Sequence, residues 1–281
     1  MPKDKKMWDN ILTVIMSLLC LLWIYPIVLI LQNSLKIEGT FTTSTVFKLP
    51  TAETFAGLSN YIYGVTKMGF LSSLGYSLVI TVSSVALILL CCSMTGWYLT
   101  RVNNKLSKFM NLLIVFSMVV PFQMVMFTLS KTADTLNLNT PWNICIIYLG
   151  FGAGLAVFMF TGFMKSVPIE IEEAAMIDGC GPFRILTSII IPMCKPGIVT
   201  VCMISAMAAW NEYPVALVMV TDPTKATLPV GLANLYEIQR YATDWGALFA
   251  ALVLALIPTV ILFIVGQKQL VQGLSVGGVK G

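Results

Sequence analysis

The sequence of residues 165–197, KSVPIEIEEAAMIDGCGPFRILTSIIIPMCKPG, predicts two short helices joined by a glycine turn. Its first proline suits an opening helical turn, and the glutamates that follow suit the positive end of a helix dipole. Gly179 permits the left-handed conformation that ends this helix. Pro182 can begin a second helix, which Pro192 and Pro196 are expected to break. The stretch is therefore expected to form a helical elbow.

Long apolar segments flank this stretch in a chain of 281 residues that is 57% hydrophobic and 11% charged. Soluble domains are about 25% charged, and a helix crosses ~30 Å of hydrocarbon with about 20 apolar residues. Six segments qualify as helical spans, because they lack the alternation of barrel strands. The alternative, that these runs are buried core helices of a large soluble protein, is disfavoured because one chain contains six of them. The predicted spans are residues 11–31, 76–99, 109–129, 142–163, 198–220 and 246–266.

The expected fold is an all-α membrane protein in a single transmembrane domain, residues 1–281, with the loop of residues 164–197 between its fourth and fifth helices. A glycine-rich tail, residues 267–281, follows the last span. Most of the 17 basic residues fall inside when both termini are placed there, and the short connection of residues 101–108 carries bases but no acid. The first apolar run is interpreted as an uncleaved helix, since it is longer than a signal core and no A-x-A site follows.

Several other classes of site are not indicated. The net charge of +4 is assigned to topology signals at the helix ends rather than to a nucleic-acid partner. The seven cysteines come without histidine or a C-x-x-C pair, so neither a metal site nor a disulfide framework is expected. No G-x-S-x-G or H-E-x-x-H pattern marks a catalytic residue. The segment Thr95–Tyr98, TGWY, is typical of an aromatic anchor at the membrane interface.

By composition, the loop of residues 164–197 fits an amphipathic hairpin that lies on the membrane surface. Its ordered residues, however, resemble the EAA loop of the permease subunits of binding-protein-dependent ABC importers. The residues that carry the resemblance are Glu173, Ala174, Ala175, Asp178, Gly179, Ile189, Ile191 and Pro192. The family has Leu where this chain has Ile191, and Cys180 stands where its sugar permeases often have Ala.

Further stretches resemble the smaller permease of carbohydrate importers of the maltodextrin type. These stretches are Ser34–Lys36, Trp210–Tyr213, Thr227–Gly231 and Gly273–Gly281, so the resemblance covers nearly the whole chain. It implies the type I importer permease fold, with six transmembrane helices and both termini cytoplasmic in a bacterial cell membrane. The implied function is to form half of the path for a sugar or oligosaccharide.

The resemblance also implies partners. The loop of residues 164–197, called the coupling loop below, is expected to dock on a cytoplasmic ATPase, with Glu173 and Gly179 central to the fit. The chain lacks the phosphate loop G-x-x-x-x-G-K-[ST], so ATP and Mg²⁺ are expected in that partner, and neither a cofactor nor enzyme activity is expected in this chain. The other expected partners are a second, unlike permease, a second ATPase, an extracellular solute-binding protein and membrane lipid.

Glu212 is the one acid within a predicted span. A charge near the bilayer centre costs at least ~2.5 kcal/mol, so this carboxylate should face protein or water. Together with Asn211 and Tyr213 it could hydrogen-bond sugar hydroxyls, and Trp210 could stack on a sugar ring. The preferred interpretation is that Glu212 ties the fifth helix to a neighbouring helix or to a partner subunit, with Pro214 kinking the helix.

An ion-coupled secondary transporter is the alternative function. Such a protein usually shows internal repeats and binds its ion at broken helices near the midplane. No repeat is visible in this sequence, and a proton relay without histidine would depend on Glu212 alone. Transport that requires ATP and a separate ATPase would discriminate between the two functions.

Overall fold

The computed structural model describes residues 3–43, 45–67, 69–242 and 244–278, and these residues are largely helical. The helices, in chain order, are α1 (Lys3–Ser34), α2 (Thr40–Thr43), α3 (Ser59–Lys67), α4 (Phe70–Arg101), α5 (Lys105–Ser117), α6 (Phe122–Thr135), α7 (Ile144–Met164), α8 (Ile169–Ile177), α9 (Pro182–Ile185), α10 (Ile191–Met193), α11 (Lys195–Trp210), α12 (Pro214–Met219), α13 (Leu228–Ala242) and α14 (Trp245–Gly278). A π-helical turn, Leu186–Ile190, joins α9 to α10, and a 3-10 turn, Pro223–Lys225, precedes α13. The prediction of an all-α fold is confirmed.

Four of these helices are long and apolar enough to cross a membrane. Their qualifying stretches are Met7–Ser34 in α1, Phe70–Arg101 in α4, Ile144–Met164 in α7 and Trp245–Val271 in α14. Even the shortest stretch has 21 residues. At 1.5 Å per residue it reaches about 31 Å, the thickness of the hydrocarbon layer. The first, second, fourth and sixth predicted spans fall on these helices.

The third predicted span, residues 109–129, is wrong as a single helix. The chain instead forms α5 and α6, which meet at an angle of 104°. Pro121 lies at the break in an extended conformation, with ψ of 144°. Proline lacks the amide hydrogen that a helix needs and disfavours helical geometry in the residue before it. Hydropathy does not register this break, because Pro121 lies within an apolar run.

The fifth predicted span, residues 198–220, is also interrupted. Helix α11 ends at Trp210 and α12 begins at Pro214, so the predicted kink takes the form of a break in the helix. On its other side, α11 meets the helical stretch Pro182–Met193 at 85°, and these two qualify as a span only as a bent pair. The described residues therefore hold four spanning helices, or up to six if each bent pair forms one span.

Residue contacts group the chain into two compact units. The first comprises Met1–Leu71 with Gly231–Ile257, and the second comprises Ser72–Val230 with Pro258–Gly281. In the first unit, the Asn60 side-chain amide donates to the carbonyl oxygens of Ser34 and Lys36 at 2.9 and 2.8 Å. These bonds hold α3 to the residues that end α1. The single domain over residues 1–281 stays a prediction.

In the second unit, α7 packs against α5 and α11. Glycines let the helix backbones approach closely. A Cβ atom added to Gly96 of α4 would lie 2.7 Å from the Cβ of Phe160, and one added to Gly154 would lie 3.0 Å from the carbonyl oxygen of Ile114. Small residues at helix contacts are the usual packing device of membrane helices, which lack a hydrophobic drive to associate.

The predicted glycine-rich tail, residues 267–281, begins as helix. Helix α14 continues through Gly278, and residues 279–281 lie outside the described residues. The hydroxyl of Thr200 on α11 donates to the carbonyl oxygen of Gln269 at 3.5 Å. The first part of this segment therefore packs on α11.

Candidate functional site

The first helix of the coupling loop, α8, begins one residue later than predicted, since Pro168 lies just outside its first turn. Pro168 precedes the helix with ψ of 137°, and Glu170 and Glu172 lie in the first turn. Acids at this position face the unpaired amides and the positive end of the helix dipole, which stabilises them.

The other end of α8 closes on Gly179, as predicted. Gly179 has φ of +82°, a conformation that L side chains rarely adopt. Its amide donates to the carbonyl oxygen of Met176 at 3.0 Å, and the amide of Cys180 donates to that of Ala175 at 2.9 Å. These two bonds form a Schellman motif, which satisfies the last carbonyls of the helix and fixes the direction of the elbow.

The second helical stretch begins at Pro182, as predicted, but it does not end at Pro192. It passes through the π-helical turn, in which the amide of Ile191 donates to the carbonyl oxygen of Leu186. The stretch ends at Met193, and Cys194 separates it from α11. Proline removes one amide and crowds the carbonyl four residues before it. A π turn widens the helix just before this point, so the wider turn accommodates Pro192.

The predicted docking residues divide between the two sides of this elbow. Ala175 is buried, and Ile189 is partly buried in the same apolar core. Those exposed in this chain are Glu173, Ala174, Asp178, Gly179 and Pro192. Exposed apolar side chains lie in the same two helices, with Met176 55%, Ile177 86% and Phe183 67% exposed. The outer side of the elbow therefore presents a mixed apolar and acidic surface.

The sequence alone does not indicate the role of Glu172, which points inward beside the exposed Glu173. Its carboxylate Oε1 lies 2.6 Å from a terminal nitrogen of Arg101, and accepts a hydrogen bond from Nε of Arg101 at 2.7 Å. The indole Nε1 of Trp97 donates to the other oxygen, Oε2, at 2.9 Å. In the sequence, Arg101 is one of the bases of the short connection 101–108 that mark the inside of the membrane. The signal available was a lone base at the end of an otherwise uncharged span.

The TGWY segment is more than an aromatic anchor. Trp97 is half-buried and turns its nitrogen toward Glu172, whereas its neighbour Tyr98 is 42% exposed. The prediction of an interfacial anchor therefore remains suited to Tyr98. Trp97 instead belongs to the contact between α4 and α8.

Glu212 lies in the break between α11 and α12. Its Oε1 accepts a hydrogen bond from the amide of Val215 at 2.9 Å, so the carboxylate caps the start of α12. Glu212 also lines a largely apolar cavity of about 170 Å³ between α7 and α11, together with Tyr148, Phe151 and Ser205. The buried hydroxyl of Tyr148 has no hydrogen-bond partner among the described residues. Among the described residues the carboxylate thus bonds to the backbone of the next helix in the chain, and the expected tie to a neighbouring helix or partner subunit stays a prediction.

The other predicted path residues are not brought together with Glu212 in this cavity. Trp210 is buried at 7% exposure. The side-chain amide of Asn211 donates to the carbonyl oxygen of Met207 on its own helix at 2.8 Å. Tyr213 is 37% exposed. The side chains of residues 210–213 have different surroundings because α11 ends at Trp210.

These features define a helical membrane protein: helices long and apolar enough to cross a membrane, and a two-helix elbow with a mixed outer surface and an inward ion pair. The chain belongs to the family described as binding-protein-dependent transport system inner membrane component, whose model matches residues 92–276. The matched region contains the whole coupling loop and both bent helix pairs.

Relatives match almost over their full length. The probable starch degradation products transport system permease protein of Thermoanaerobacterium thermosulfurigenes is 34% identical over 270 residues, which are 96% of each chain. The melibiose/raffinose/stachyose import permease protein of Bacillus subtilis is 30% identical, with 97% of each chain covered. Neither match supports an ion-coupled secondary transporter.

A solved structure shares the fold. The chain aligns with one subunit of a bacterial ABC transporter involved in the import of the acidic polysaccharide alginate, with a TM-score of 0.80 and 23% identity. The alignment covers 95% of this chain and 98% of that subunit. The predicted type I importer permease fold is confirmed.

Proposed function

We propose that this chain is the transmembrane subunit of an ATP-driven importer and forms half of the path for a sugar or oligosaccharide. The observation that carries the proposal is the elbow of the coupling loop, bonded to α4 on its inner side and exposed on its outer side. Import of starch products and of raffinose-type sugars, named for the two relatives, supports carbohydrate as the substrate class. An extracellular solute-binding protein would deliver the sugar.

The outer surface of the elbow is the proposed dock for a cytoplasmic ATPase. Ile177, 86% exposed in this chain, lies one residue from Asp178 and two from Gly179. Exposed apolar side chains ringed by polar ones are typical of protein interfaces. The ATPase would hold ATP and Mg²⁺, and the complete importer would use two ATPases. This proposal also sets the coupling loop and both termini in the cytoplasm of a bacterial cell.

A second, unlike permease would complete the path. Support comes from α1, whose most apolar window contains no buried residue in this chain. Bulky side chains on this helix, such as Trp23 at 79% exposure, have lipid or another chain as their available neighbours. Helix packing against a partner stabilises membrane complexes through van der Waals contact.

Glu212 is the residue that we propose to face the path. Its capping bond engages Oε1, and its position in the cavity near Tyr148 leaves Oε2 for a hydroxyl donor. A neutral sugar offers such donors, and the apolar wall around Phe151 suits the flat face of a sugar ring. The proposal leaves Trp210 to helix packing, in agreement with its burial.

The test is transport by the purified importer in proteoliposomes. Sugar binding to the cognate solute-binding protein, measured by calorimetry with maltotriose and raffinose, selects the labelled sugar. We expect uptake only when ATP, the ATPase and the loaded binding protein are all present. Uptake driven by an ion gradient without ATP would contradict the proposed function.

The docking surface has a matched pair of variants. Ile177→Asp places a charge on the exposed surface of α8. Leu136→Asp places the same charge just beyond the end of α6, where Leu136 is 60% exposed. This control site lies in the connection before α7, which is predicted to be outside the cell. We expect Ile177→Asp to remove the ATPase from the purified complex and Leu136→Asp to leave it bound. Equal retention of the ATPase in both variants would count against the dock.

A further inference from the structure

Arg101 joins three helices at one point. It is the last residue of α4, and its Nε and terminal nitrogen engage Glu172 on α8. The same terminal nitrogen donates to the carbonyl oxygens of Val167 at 2.9 Å and Met164 at 3.3 Å. These carbonyls belong to the end of α7 and to the turn that leads into α8. The guanidinium thus joins α4, α7 and α8.

The carboxylate of this cluster is fully bonded. Both oxygens of Glu172 accept hydrogen bonds, one from Arg101 and one from Trp97. The side chains of Arg101 and Glu172 are 17% and 5% exposed. A guanidinium presents a rigid fork of donors, so its bonds fix orientation as well as distance. The cluster therefore sets the angle between α4 and α8.

Apart from this cluster, α8 has few buried side chains that could attach it to α4. Of the nine residues of α8, all of them described, Glu172 and Ala175 are buried. Ala175 contributes only a methyl group to the core. On the neighbouring side, an apolar groove between Trp97 and Phe183 separates α4 from α9. The ion pair is consequently the principal side-chain attachment of α8 to α4.

We infer that Arg101 is a positioning residue that transmits motion of the coupling loop to α4, so that α8 and α4 tilt as one body when the ATPase moves the loop. The inference rests on the proposed function, since it takes an ATPase to be the source of the motion. A buried ion pair by itself is weak support for stability, because desolvation offsets much of the attraction. A rigid connection between two helices is, by contrast, what a rigid-body transition requires.

The test compares Arg101→Lys and Glu173→Gln in the complete importer. Lysine keeps the charge but cannot reproduce the fork that reaches Glu172 and two carbonyls together. We expect the Arg101→Lys complex to keep its ATPase and to hydrolyse ATP, while sugar uptake per ATP hydrolysed falls about fivefold or more, within the usual range of coupling between sites. Stimulation of ATP hydrolysis by the loaded binding protein should fall in parallel.

Glu173→Gln separates this inference from the proposed dock. Glu173 is exposed on the outer surface of α8, so its substitution should reduce ATPase retention without changing uptake per ATP hydrolysed by the complexes that remain. An unchanged ATPase content for Glu173→Gln would count against the dock alone. Unchanged coupling in Arg101→Lys, or loss of the ATPase from that complex, would overturn the transmission role.

A second variant covers the case in which Arg101→Lys does not assemble. Arg101→Met combined with Glu172→Leu removes both charges and fills the site with apolar groups, a replacement that buried ion pairs usually tolerate. This double variant should assemble and still transport poorly per ATP hydrolysed, because unbranched and branched aliphatic side chains do not fix the angle between α4 and α8. Full coupling in the double variant would overturn the inference.

Discussion

Arg101 and Glu172 lie 71 residues apart in sequence, and a contact of 2.6 Å joins them at the base of the coupling loop. Each is the partner that makes burial of the other tolerable. Removal of one leaves an uncompensated charge in a site with little access to water, whereas removal of both leaves none. The pair therefore behaves as a unit in stability as well as in geometry.

This relationship predicts a non-additive effect on stability. Glu172→Leu alone should destabilise the assembled complex by about 3–5 kcal/mol, the usual cost of breaking a buried pair. Adding Arg101→Met should recover most of that loss. Thermal unfolding of the purified complex, followed by tryptophan fluorescence, measures both. A double variant as unstable as Glu172→Leu would show that the charges do not depend on one another.

The elbow predicts different responses at two neighbouring glycines. Gly179 has φ of +82°, whereas Gly181 has φ of −73°, and a Cβ on either would meet nothing within 4 Å. Because the cost is conformational rather than steric, Gly179→Ser should lose about 1–2 kcal/mol and loosen the ATPase, while Gly181→Ser should do neither. Gly179→Asn should be intermediate, since Asn tolerates the left-handed region. Thermal unfolding and ATPase co-purification test the series, and equal effects at both glycines would contradict it.

Helix packing predicts a second contrast, within α4. A Cβ at Gly96 would meet the Cβ of Phe160 at 2.7 Å, whereas one at Gly75 would meet nothing within 4 Å. Gly96→Ala should destabilise the complex by about 1–3 kcal/mol through overpacking against α7. Gly75→Ala should be neutral or stabilising by up to about 1 kcal/mol, because Ala favours a helix. Yield and thermal unfolding in one detergent compare the two variants, and a tolerated Gly96→Ala would mean that α4 and α7 can separate.

The proposed orientation is tested by cysteine labelling on intact cells with a membrane-impermeant reagent. Glu53 and Asn103 are both exposed, Glu53 in the connection between α2 and α3 and Asn103 in the short connection between α4 and α5. A cysteine at Glu53 should be labelled, and one at Asn103 should be labelled only after the membrane is opened. Labelling of Asn103 on intact cells would reverse the topology.

The features of this molecule that the sequence predicts are those set by neighbouring residues. The turn at Gly179 and the start at Pro182 depend on residues within one or two helical turns, so the sequence indicates both. The breaks at Pro121 and Pro214 had local signals too, yet hydropathy averages over them and predicts continuous spans. The bonds of Glu172 to Arg101 and Trp97 depend on how α4 packs against α8, which no local pattern encodes. Glu173 and Glu172 are adjacent acids in sequence, and only packing distinguishes the exposed one from the buried one.

Glu212 offers two variants that separate its capping bond from its proposed place in the path. Gln keeps an oxygen for the amide of Val215, whereas Leu leaves that amide without the partner it has at 2.9 Å. Glu212→Leu should therefore lower the yield of folded complex, with a cost of about 1–3 kcal/mol for the lost acceptor.

Glu212→Gln should preserve yield but raise the sugar concentration for half-maximal transport about tenfold, because a hydrogen bond to a charged group contributes ~1.5–3 kcal/mol. Asn211→Ala is the control, since the Asn211 side chain bonds only to the carbonyl of Met207 among the described residues and does not line the cavity. Uptake of the labelled sugar at graded concentrations, normalised to complex content, gives the comparison. If Glu212→Gln transports like the parent at every concentration while Glu212→Leu loses yield, the carboxylate serves the fold of α12 and not the path.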